Sequence, residues 1–243
     1  MEPSTGSLRK RYDLPKLVKR LTDTGMASSL SVNCDGVLFG GSVEDITKAR
    51  EASTSATVSK SLDTGNDDGV EAPPILASDL LLYPYQLYKL CLAGADAVTL
   101  MVGALEGKDL VYLTKIAKTV QLQVVASVTS EVQMQRLCES VGPGSISALV
   151  LSNRDLESFD FDYTGEQALE MLKSDAMVEF REKFGEDVPI LVEGRVGIIE
   201  VDGDSAAYVK KLKEAGAFGA IVGGGLAAVD DENVADTIAH WSQ

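Results

Sequence analysis

The stretch PILASDLLLYPYQ (residues 74–86) contains the pattern on which the fold assignment rests. It begins with a short apolar run, PILAS (74–78), passes through a polar pair, and turns at Pro84 into a segment with helical character. In one large class of α/β folds, the residue at the end of such a strand faces the site of the chemistry. Here the strand ends in alanine and serine, which offer no acid or base near neutral pH. The stretch therefore indicates a fold and leaves its function in question.

The same strand-then-helix unit recurs along the whole chain. The apolar runs are SSLSV (28–32), PILAS (74–78), AVTLMV (97–102), QVVASV (123–128), ALVLS (148–152), ILVEG (190–194) and GAIVGG (219–224). Helical patterns lie at about residues 14–24, 43–51, 83–93, 107–119, 130–140, 165–184, 205–215 and 229–241. Apolar strands that alternate with amphipathic helices imply a parallel sheet covered by helices.

The chain length of 243 residues fits a single (β/α)8 barrel, which runs to about 250 residues. Only seven strands are predicted, and the chain goes from an N-terminal loop straight into a helix. We therefore expect a barrel without its first strand, absent either from the protein or only from this sequence. No domain boundary is indicated over residues 1–243. The polar, acidic segment 53–72 predicts a mobile surface insertion.

Charge and composition exclude several classes of function. A net charge of −15 argues against direct binding to nucleic acid or to an anionic membrane surface. No apolar run is long enough to predict a membrane span. The three cysteines have no close spacing, which indicates reduced thiols in an intracellular compartment and no metal site. The single histidine, His240, makes a hydrolytic triad or a histidine-based metal centre very hard to build. No cofactor is indicated.

Four motifs carry a family resemblance. PSTGSLRKRYD, GMASSLSV with VLFGGS after it, DLVYLTKIAK and SNRDLESFDFD resemble segments of plastid-type indole-3-glycerol-phosphate synthase, a lyase of tryptophan biosynthesis. The similarity runs from Pro3 to about Asp236. It implies a phosphate-binding TIM barrel, (β/α)8, with its site at the carboxyl ends of the strands. The reaction so implied closes a ring in a carboxyphenylamino-deoxyribulose phosphate, with loss of carbon dioxide and water.

Carried over position by position, the resemblance puts serine where the family has reactive groups. The lysine that acts as general acid falls on Ser78, the fifth-strand glutamate on Ser127, and the first asparagine of the sixth-strand pair on Ser152. The first-strand glutamate and lysine have no counterpart in this sequence. A serine hydroxyl cannot replace an ammonium acid, and loss of a general acid costs about 10²–10⁴-fold in rate. The resemblance therefore implies an inactive member.

Three catalytic positions of the family are retained as Asn153, Arg154 and Glu193. Arg154 either binds a carboxylate ligand or pairs with a neighbouring aspartate. Glu193 is either a remnant of catalysis or a partner for Arg154 or Arg195. The aspartates close to Arg154 in sequence are Asp155, Asp160 and Asp162.

The resemblance also implies a site for a sugar-phosphate-like ligand. Its residues would be Ser4, Gly194 and the turn Gly223, Gly224 and Gly225, whose backbone N–H groups glycine leaves open. A tight strand-to-helix turn would account for the same glycines without any ligand.

Two further groups have structural interpretations. Tyr83, Tyr85 and Tyr88 recur at helical spacing and are predicted to pack the helix, with a partner surface as the alternative. An acidic run, Asp230, Asp231 and Glu232, is predicted to open the final helix, where the helix dipole favours negative charge.

Two classes of function remain. The first is a non-catalytic interaction or structural subunit of a larger, plastid assembly, with protein partners still to be named. The second is an indole-3-glycerol-phosphate synthase with altered or residual activity. A sensor that binds phosphate without turnover is a third and lesser possibility.

Overall fold

Seven short parallel strands form the centre of the computed structural model, and each pairs with the next in chain order. The structure describes residues 13–37, 40–64, 71–154, 161–201, 203–227, 229 and 233–241. The strands are β1 (Leu30–Asn33), β2 (Ile75–Ser78), β3 (Ala97–Met101), β4 (Gln123–Val128), β5 (Ala148–Ser152), β6 (Ile190–Glu193) and β7 (Gly219–Ile221). All seven predicted strands are confirmed: β4 and β5 have the predicted bounds, and the other five differ by one to three residues at one or both ends.

Helices precede β1 and follow every strand. They are α1 (Leu14–Thr24), α2 (Val43–Thr64), α3 (Pro84–Ala93), α4 (Gly107–Thr119), α5 (Glu131–Ser140), α6 (Glu166–Leu172), α7 (Asp175–Phe184), α8 (Ser205–Glu214), α9 (Gly224–Ala227) and α10 (Val234–Trp241), with one 3₁₀ turn at Val102–Ala104. The last helix, α10, contacts both α8 and α1, so the helices meet around the outside of the sheet. The architecture is a nearly closed (β/α)8-type barrel in which the described residues supply seven of the eight strands. No helix in the described ranges is long and apolar enough to cross a membrane.

The barrel buries two separate apolar layers. Between strands and helices lies the large outer core, which includes Ile75, Val98, Leu149 and Phe180. Inside the barrel lies a small core, because alternate side chains of each strand face inward. The inner core consists of Leu76, Val125, Ala148 and Val150, with Ala97, Leu191 and Ile221 packed against them.

The outer edges of β1 and β7 are not joined by any strand pairing among the described residues. Leu30 and Val32 of β1 are buried against the helices, whereas Ser31 and Asn33, which alternate with them, are exposed. All three residues of β7 are only half-buried. The two strands that border the gap are therefore less completely buried than the central strands β3, β4 and β5.

Helix α2 differs most from the sequence prediction. Residues 53–64, expected to belong to a mobile insertion over 53–72, continue this helix, while 65–70 lie outside the described residues. The helix turns small residues inward, with Ala49, Ser53 and Ala56 buried. The hydroxyl of Thr57 donates to the Ser53 carbonyl at 3.0 Å, which satisfies a polar group inside the helix. The helix over 53–64 was not recognised in the sequence because its composition is polar and the side chains that it packs inward are small.

Two other helical predictions are corrected. The single helix predicted over 165–184 is two helices, because Ser174 caps α7 by accepting a hydrogen bond from the Met177 amide at 3.3 Å. The final helix begins at Val234, not at residue 229. The acidic run Asp230, Asp231 and Glu232 and the N-terminal loop up to Tyr12 lie outside the described residues.

The open edges make a prediction about the isolated chain. Each buried backbone hydrogen bond left unmade costs about 1–3 kcal/mol, and several would be unmade along one strand edge. We expect the purified monomer to unfold broadly, with a midpoint below about 60 °C, within the range of mesophilic domains. Circular dichroism of a homogeneous monomer measures this. A single sharp transition above that temperature would show that the barrel is stable without a further strand.

Candidate functional site

A ring of small polar side chains surrounds the carboxyl ends of the strands. Ser78, Ser127, Ser152 and Glu193 each lie two residues beyond an inner-core position, so alternation turns all four inward. Ser152 is in register with Glu193 on the neighbouring strand. Serine therefore occupies three of the four strand ends that the sequence singled out, and a single carboxyl lies among them.

Glu193 is the electrostatic centre of this ring. Burial raises the pKa of its carboxyl above the ordinary value. Hydrogen bonds from the Ser152 and Ser127 hydroxyls and the positive charge of Arg154 act in the opposite direction, without cancelling the effect of burial. Of the two arginines considered as its partner, Arg154 is therefore the one whose charge acts on Glu193. The site favours a neutral carboxyl more than water does.

Both arginines of the site lie over aromatic rings. The Arg154 guanidinium is 4.8 Å from the centre of the Phe161 ring, and the Arg195 guanidinium is 4.5 Å from that of Tyr163. The amide of Arg154 also donates to the Ser152 hydroxyl at 3.3 Å. Such stacking fixes the plane of a guanidinium while leaving its charge available to an anion.

Asp162, one of the three aspartates near Arg154 in sequence, interacts with the helix that follows it. Asp162 accepts hydrogen bonds from the amides of Thr164 and Gln167, at 2.9 and 2.8 Å, and so caps the start of α6. These bonds, together with that from the Thr164 hydroxyl, hold the pKa of Asp162 below its usual range despite the opposing effect of burial. Asp155 and Asp160 lie outside the described residues.

Asn153 lies below the mouth of the barrel, where it is 0% exposed. Its side-chain amide donates to the Gly194 carbonyl at 3.1 Å and to the Tyr208 hydroxyl at 3.2 Å. The Tyr208 hydroxyl in turn donates to the Gly165 carbonyl at 3.1 Å. This network ties β5 to α8 and to the start of α6. The position favours a structural role for Asn153 over contact with a ligand.

The glycines assigned to phosphate are explained partly by packing. Gly194 has φ +88°, and a Cβ there would lie 3.1 Å from the Cβ of Asn153. A Cβ on Gly225 would lie 3.1 Å from the Trp241 ring and 3.2 Å from the Val196 carbonyl. Only Gly223 and Gly224 are exposed. Ser4 lies outside the described residues.

A shallow, open groove of about 660 Å³ lies beside this turn. Its lining includes Gly225 and Trp241 together with the carboxylates of Glu200 and Asp236. Two carboxylates disfavour a phosphate, so the groove adds no support to an anion site. The described residues contain no group of three potential metal ligands.

Sequence reasoning missed Asp79, which follows Ser78 directly. Burial raises the pKa of its carboxyl and the nearby Asp35 adds to this, against a hydrogen bond from the Leu80 amide. Cys34, at the end of β1, has a pKa raised to about 12, chiefly by burial, and is inert as a nucleophile. The signal in the sequence that could have found Asp79 was its position in the polar pair that ends the apolar run of β2. The mouth near β1 and β2 is therefore acidic, where the resemblance implies a lysine.

Comparison with known proteins gives one consistent answer. The family model for indole-3-glycerol phosphate synthase matches residues 1–236. The chain is 29% identical to the indole-3-glycerol phosphate synthase of Microcystis aeruginosa over 94% of this chain and 66% of that protein. It is 33% identical to that of Rippkaea orientalis over 66% of this chain and 47% of that protein. The chain thus spans about half to two thirds of the length of these relatives.

Solved structures resemble the chain in fold alone. Orotidine 5'-phosphate decarboxylase from Pyrococcus horikoshii superposes with a TM-score of 0.58 at 17% identity, covering 100% of this chain and 97% of that one. For 3-keto-L-gulonate-6-phosphate decarboxylase from Vibrio cholerae the TM-score is 0.55 at 10% identity, with 87% and 83% covered. At such identities the match shows the barrel and nothing of its chemistry.

The buried hydrogen-bond network of Asn153, Tyr208 and Gly165 predicts that a substitution which removes one hydroxyl, and opens no large cavity, lowers stability. Tyr208→Phe removes one hydroxyl and leaves the Asn153 amide and the Gly165 carbonyl short of a partner. We expect it to lower the free energy of unfolding by about 1–3 kcal/mol in urea titrations. Tyr112→Phe, at an exposed tyrosine, is the matched control and should change it by less than about 0.5 kcal/mol. Equal effects from both substitutions would refute the network.

The environment of Glu193 predicts a pH dependence of stability. Its folded pKa is raised, so the native state holds a proton that the unfolded chain has released, and stability falls as pH rises above the ordinary glutamate value of 4.5. Glu193→Gln should therefore unfold at a higher temperature than the parent protein at neutral pH, and the difference should vanish below about pH 4. Glu182→Gln, on the exposed side of α7, is the control. A Glu193→Gln effect that does not depend on pH would contradict the assignment.

Proposed function

The chain belongs to the indole-3-glycerol phosphate synthase family, and from that membership we propose that it is a barrel without the family's catalytic groups. We propose further that it acts as a non-catalytic interaction or structural subunit of a larger, plastid assembly. The observation that carries this proposal is the serine ring around Glu193. At Ser78, Ser127 and Ser152 the strand ends present hydroxyls where the resemblance implies a lysine, a glutamate and an asparagine.

The implied chemistry needs charged groups at these positions. Ring closure requires an acid that protonates a carbonyl, a second group that helps water to leave, and cations that hold the substrate carboxylate. Glu193 is the one carboxyl at these strand ends that matches the family, and two serine hydroxyls donate hydrogen bonds to it. Arg154 remains as a cation, but the residue that follows Ser78 is the half-buried Asp79, whose pKa is raised by burial. A substrate with a carboxylate and a phosphate would meet little compensating charge there.

The role of subunit is supported by the barrel edges. Among the residues that the structure describes, the outer edges of β1 and β7 are unpaired, so they offer backbone groups to a strand from elsewhere. Ser31 and Asn33 of β1 are exposed beside this gap. The plastid location rests on the resemblance to the plastid type, and cyanobacterial relatives are consistent with it. A sugar-phosphate-like ligand at Gly223 and Gly224 would be compatible with this role.

One observation favours the alternative, a lyase with altered or residual activity. Glu193 and Asp79 both have raised pKa values, as carboxyl groups that act as general acids do. The relatives that match this chain are also longer than it is. In this alternative, Glu193 would donate the proton and Arg154 would hold the substrate carboxylate.

A turnover assay separates the two. The purified protein, given the carboxyphenylamino-deoxyribulose phosphate, should form no fluorescent indole product above background, because the acid at position 78 is a serine. An active family member assayed in parallel is the positive control. Ser78→Lys combined with Ser127→Glu should restore little, since Ser152 still stands where the resemblance implies an asparagine. Product formation within tenfold of the active member would overturn the proposal and favour the lyase.

A further inference from the structure

Helix α3 turns an apolar face to solvent. Tyr85, Tyr88 and Leu92, at spacings of three and four residues, are 56%, 46% and 88% exposed. The inward positions of the same helix are filled by Leu87 and Leu90, which are fully buried. The tyrosines therefore do not pack the helix against the barrel, and that prediction is wrong. Their alternative interpretation, a surface for a partner, is the one that the exposure favours.

These aromatic side chains are held in a defined arrangement. The Gln86 side chain accepts hydrogen bonds from the amides of Leu82 and Tyr83, both at 2.9 Å, and donates to the Leu80 carbonyl at 2.9 Å. This fixes the segment that enters α3. The rings of Tyr83 and Tyr85 then stack with centres 6.1 Å apart. A rigid aromatic surface loses little entropy when it binds, which is typical of interface hot spots.

The neighbouring helix extends this surface. Helix α4 contacts α3, and its Tyr112 is 53% exposed. Lys108 and Lys115 lie four residues before and three residues after Tyr112, on the same face of α4. We call the exposed side chains Tyr83, Tyr85, Tyr88, Leu92 and Tyr112 the tyrosine face. Five large side chains on two adjacent helices exceed the scattered exposure of an ordinary surface.

The charge of the tyrosine face is opposite to that of the chain. Helix α3 contains no acidic residue, whereas the whole chain has a net charge of −15. Lys89 lies 5.2 Å from the centre of the Tyr85 ring, and neither it nor Lys115 or Lys118 forms an ion pair within the described residues. Lys108 is the exception, paired with Glu106 at 2.8 Å. Lys89 and Lys115 thus border an aromatic surface, and Lys118 follows Lys115 on the next turn of α4; none of the three forms an ion pair within the described residues. The only carboxyl of α4 is Asp109.

From this we infer that the tyrosine face is a docking site for a segment of a partner protein. The segment would be acidic, would carry apolar or aromatic side chains, and would lie across α3 and α4. The inference rests on the proposed function, whose partner it describes. Carboxylates of the segment would pair with Lys89, Lys115 and Lys118, while its apolar side chains would cover the tyrosines.

Other occupants fit less well. A second copy of this chain would bring lysine against lysine if the same faces met, as a two-fold dimer requires. An anionic membrane would attract the three lysines but would repel a chain of net charge −15. The acidic segment alone satisfies both the local charge and the exposed rings.

Selection from a displayed library of random twelve-residue peptides tests the inference with the intact chain as bait. We expect the selected peptides to be rich in Asp and Glu around apolar or aromatic anchors. Synthetic versions should bind in fluorescence anisotropy and weaken as salt is raised. Tyr88→Gln with Tyr112→Gln should weaken them at least tenfold, and Lys89→Glu with Lys115→Glu should abolish the preference for acidic peptides.

Two matched controls lie away from the face. Val178→Gln, at an exposed apolar residue of α7, and Lys213→Glu, at an exposed lysine of α8, should leave binding within twofold. The inference would be overturned by selected peptides without acidic bias, or by peptide binding that is unchanged in the Tyr88→Gln, Tyr112→Gln variant. It would also be overturned by a concentration-dependent dimer that this variant dissociates, or by binding to phosphatidylserine vesicles in place of peptides. The turnover assay on the same preparation is independent: a catalytic barrel could bind these peptides, and an inactive one could fail to.

Discussion

Backbone hydrogen bonding between neighbouring parallel strands organises this molecule, because a parallel strand is stable only with a partner on each side and a cover on each face. From β1 to β7 that requirement is met in chain order, and the helices supply the outer cover. Among the described residues it is not met at the outer edges of β1 and β7, and Ser31 and Asn33 of β1 are exposed there. The contact of α10 with α1 shows that the outer layer closes more completely than the sheet does.

The strands could be read from the sequence because buried parallel strands are apolar along their whole length, as in ALVLS of β5. The second half of helix α2 could not, since its core-facing residues, such as Ser53 and Ala56, are small and its pattern is barely amphipathic. The tyrosines of α3 were misassigned for a related reason. Helical spacing groups residues on one face, but it does not say whether that face or the one with Leu87 and Leu90 turns inward. Apolar content shows which face of a helix turns inward only when the two faces differ clearly in it, and both faces of α3 are apolar.

The strand ends were located correctly from the sequence, but their interactions were not. Alternation along a strand predicts that Ser127, Ser152 and Glu193 share the barrel interior, and they do. It does not predict that both hydroxyls donate to the one carboxyl, because register between strands distant in sequence sets that contact. In the same way, Asn153 reads as a site residue next to Arg154, while its partner Tyr208 comes from a helix about fifty positions later. Neighbours in sequence on a strand face opposite layers, and only the fold shows which layer each one serves.

The hydroxyls around Glu193 also constrain how this site could change over generations. A carboxyl at position 127 would stand beside Glu193, and two like charges in a poorly solvated space repel strongly unless a cation accompanies them. Such a step back toward a charged site is unfavourable by itself and acceptable only together with others. Such interdependence is known as epistasis. Substitutions that remove charge from the mouth are tolerated one at a time, whereas their reversal passes through less stable intermediates.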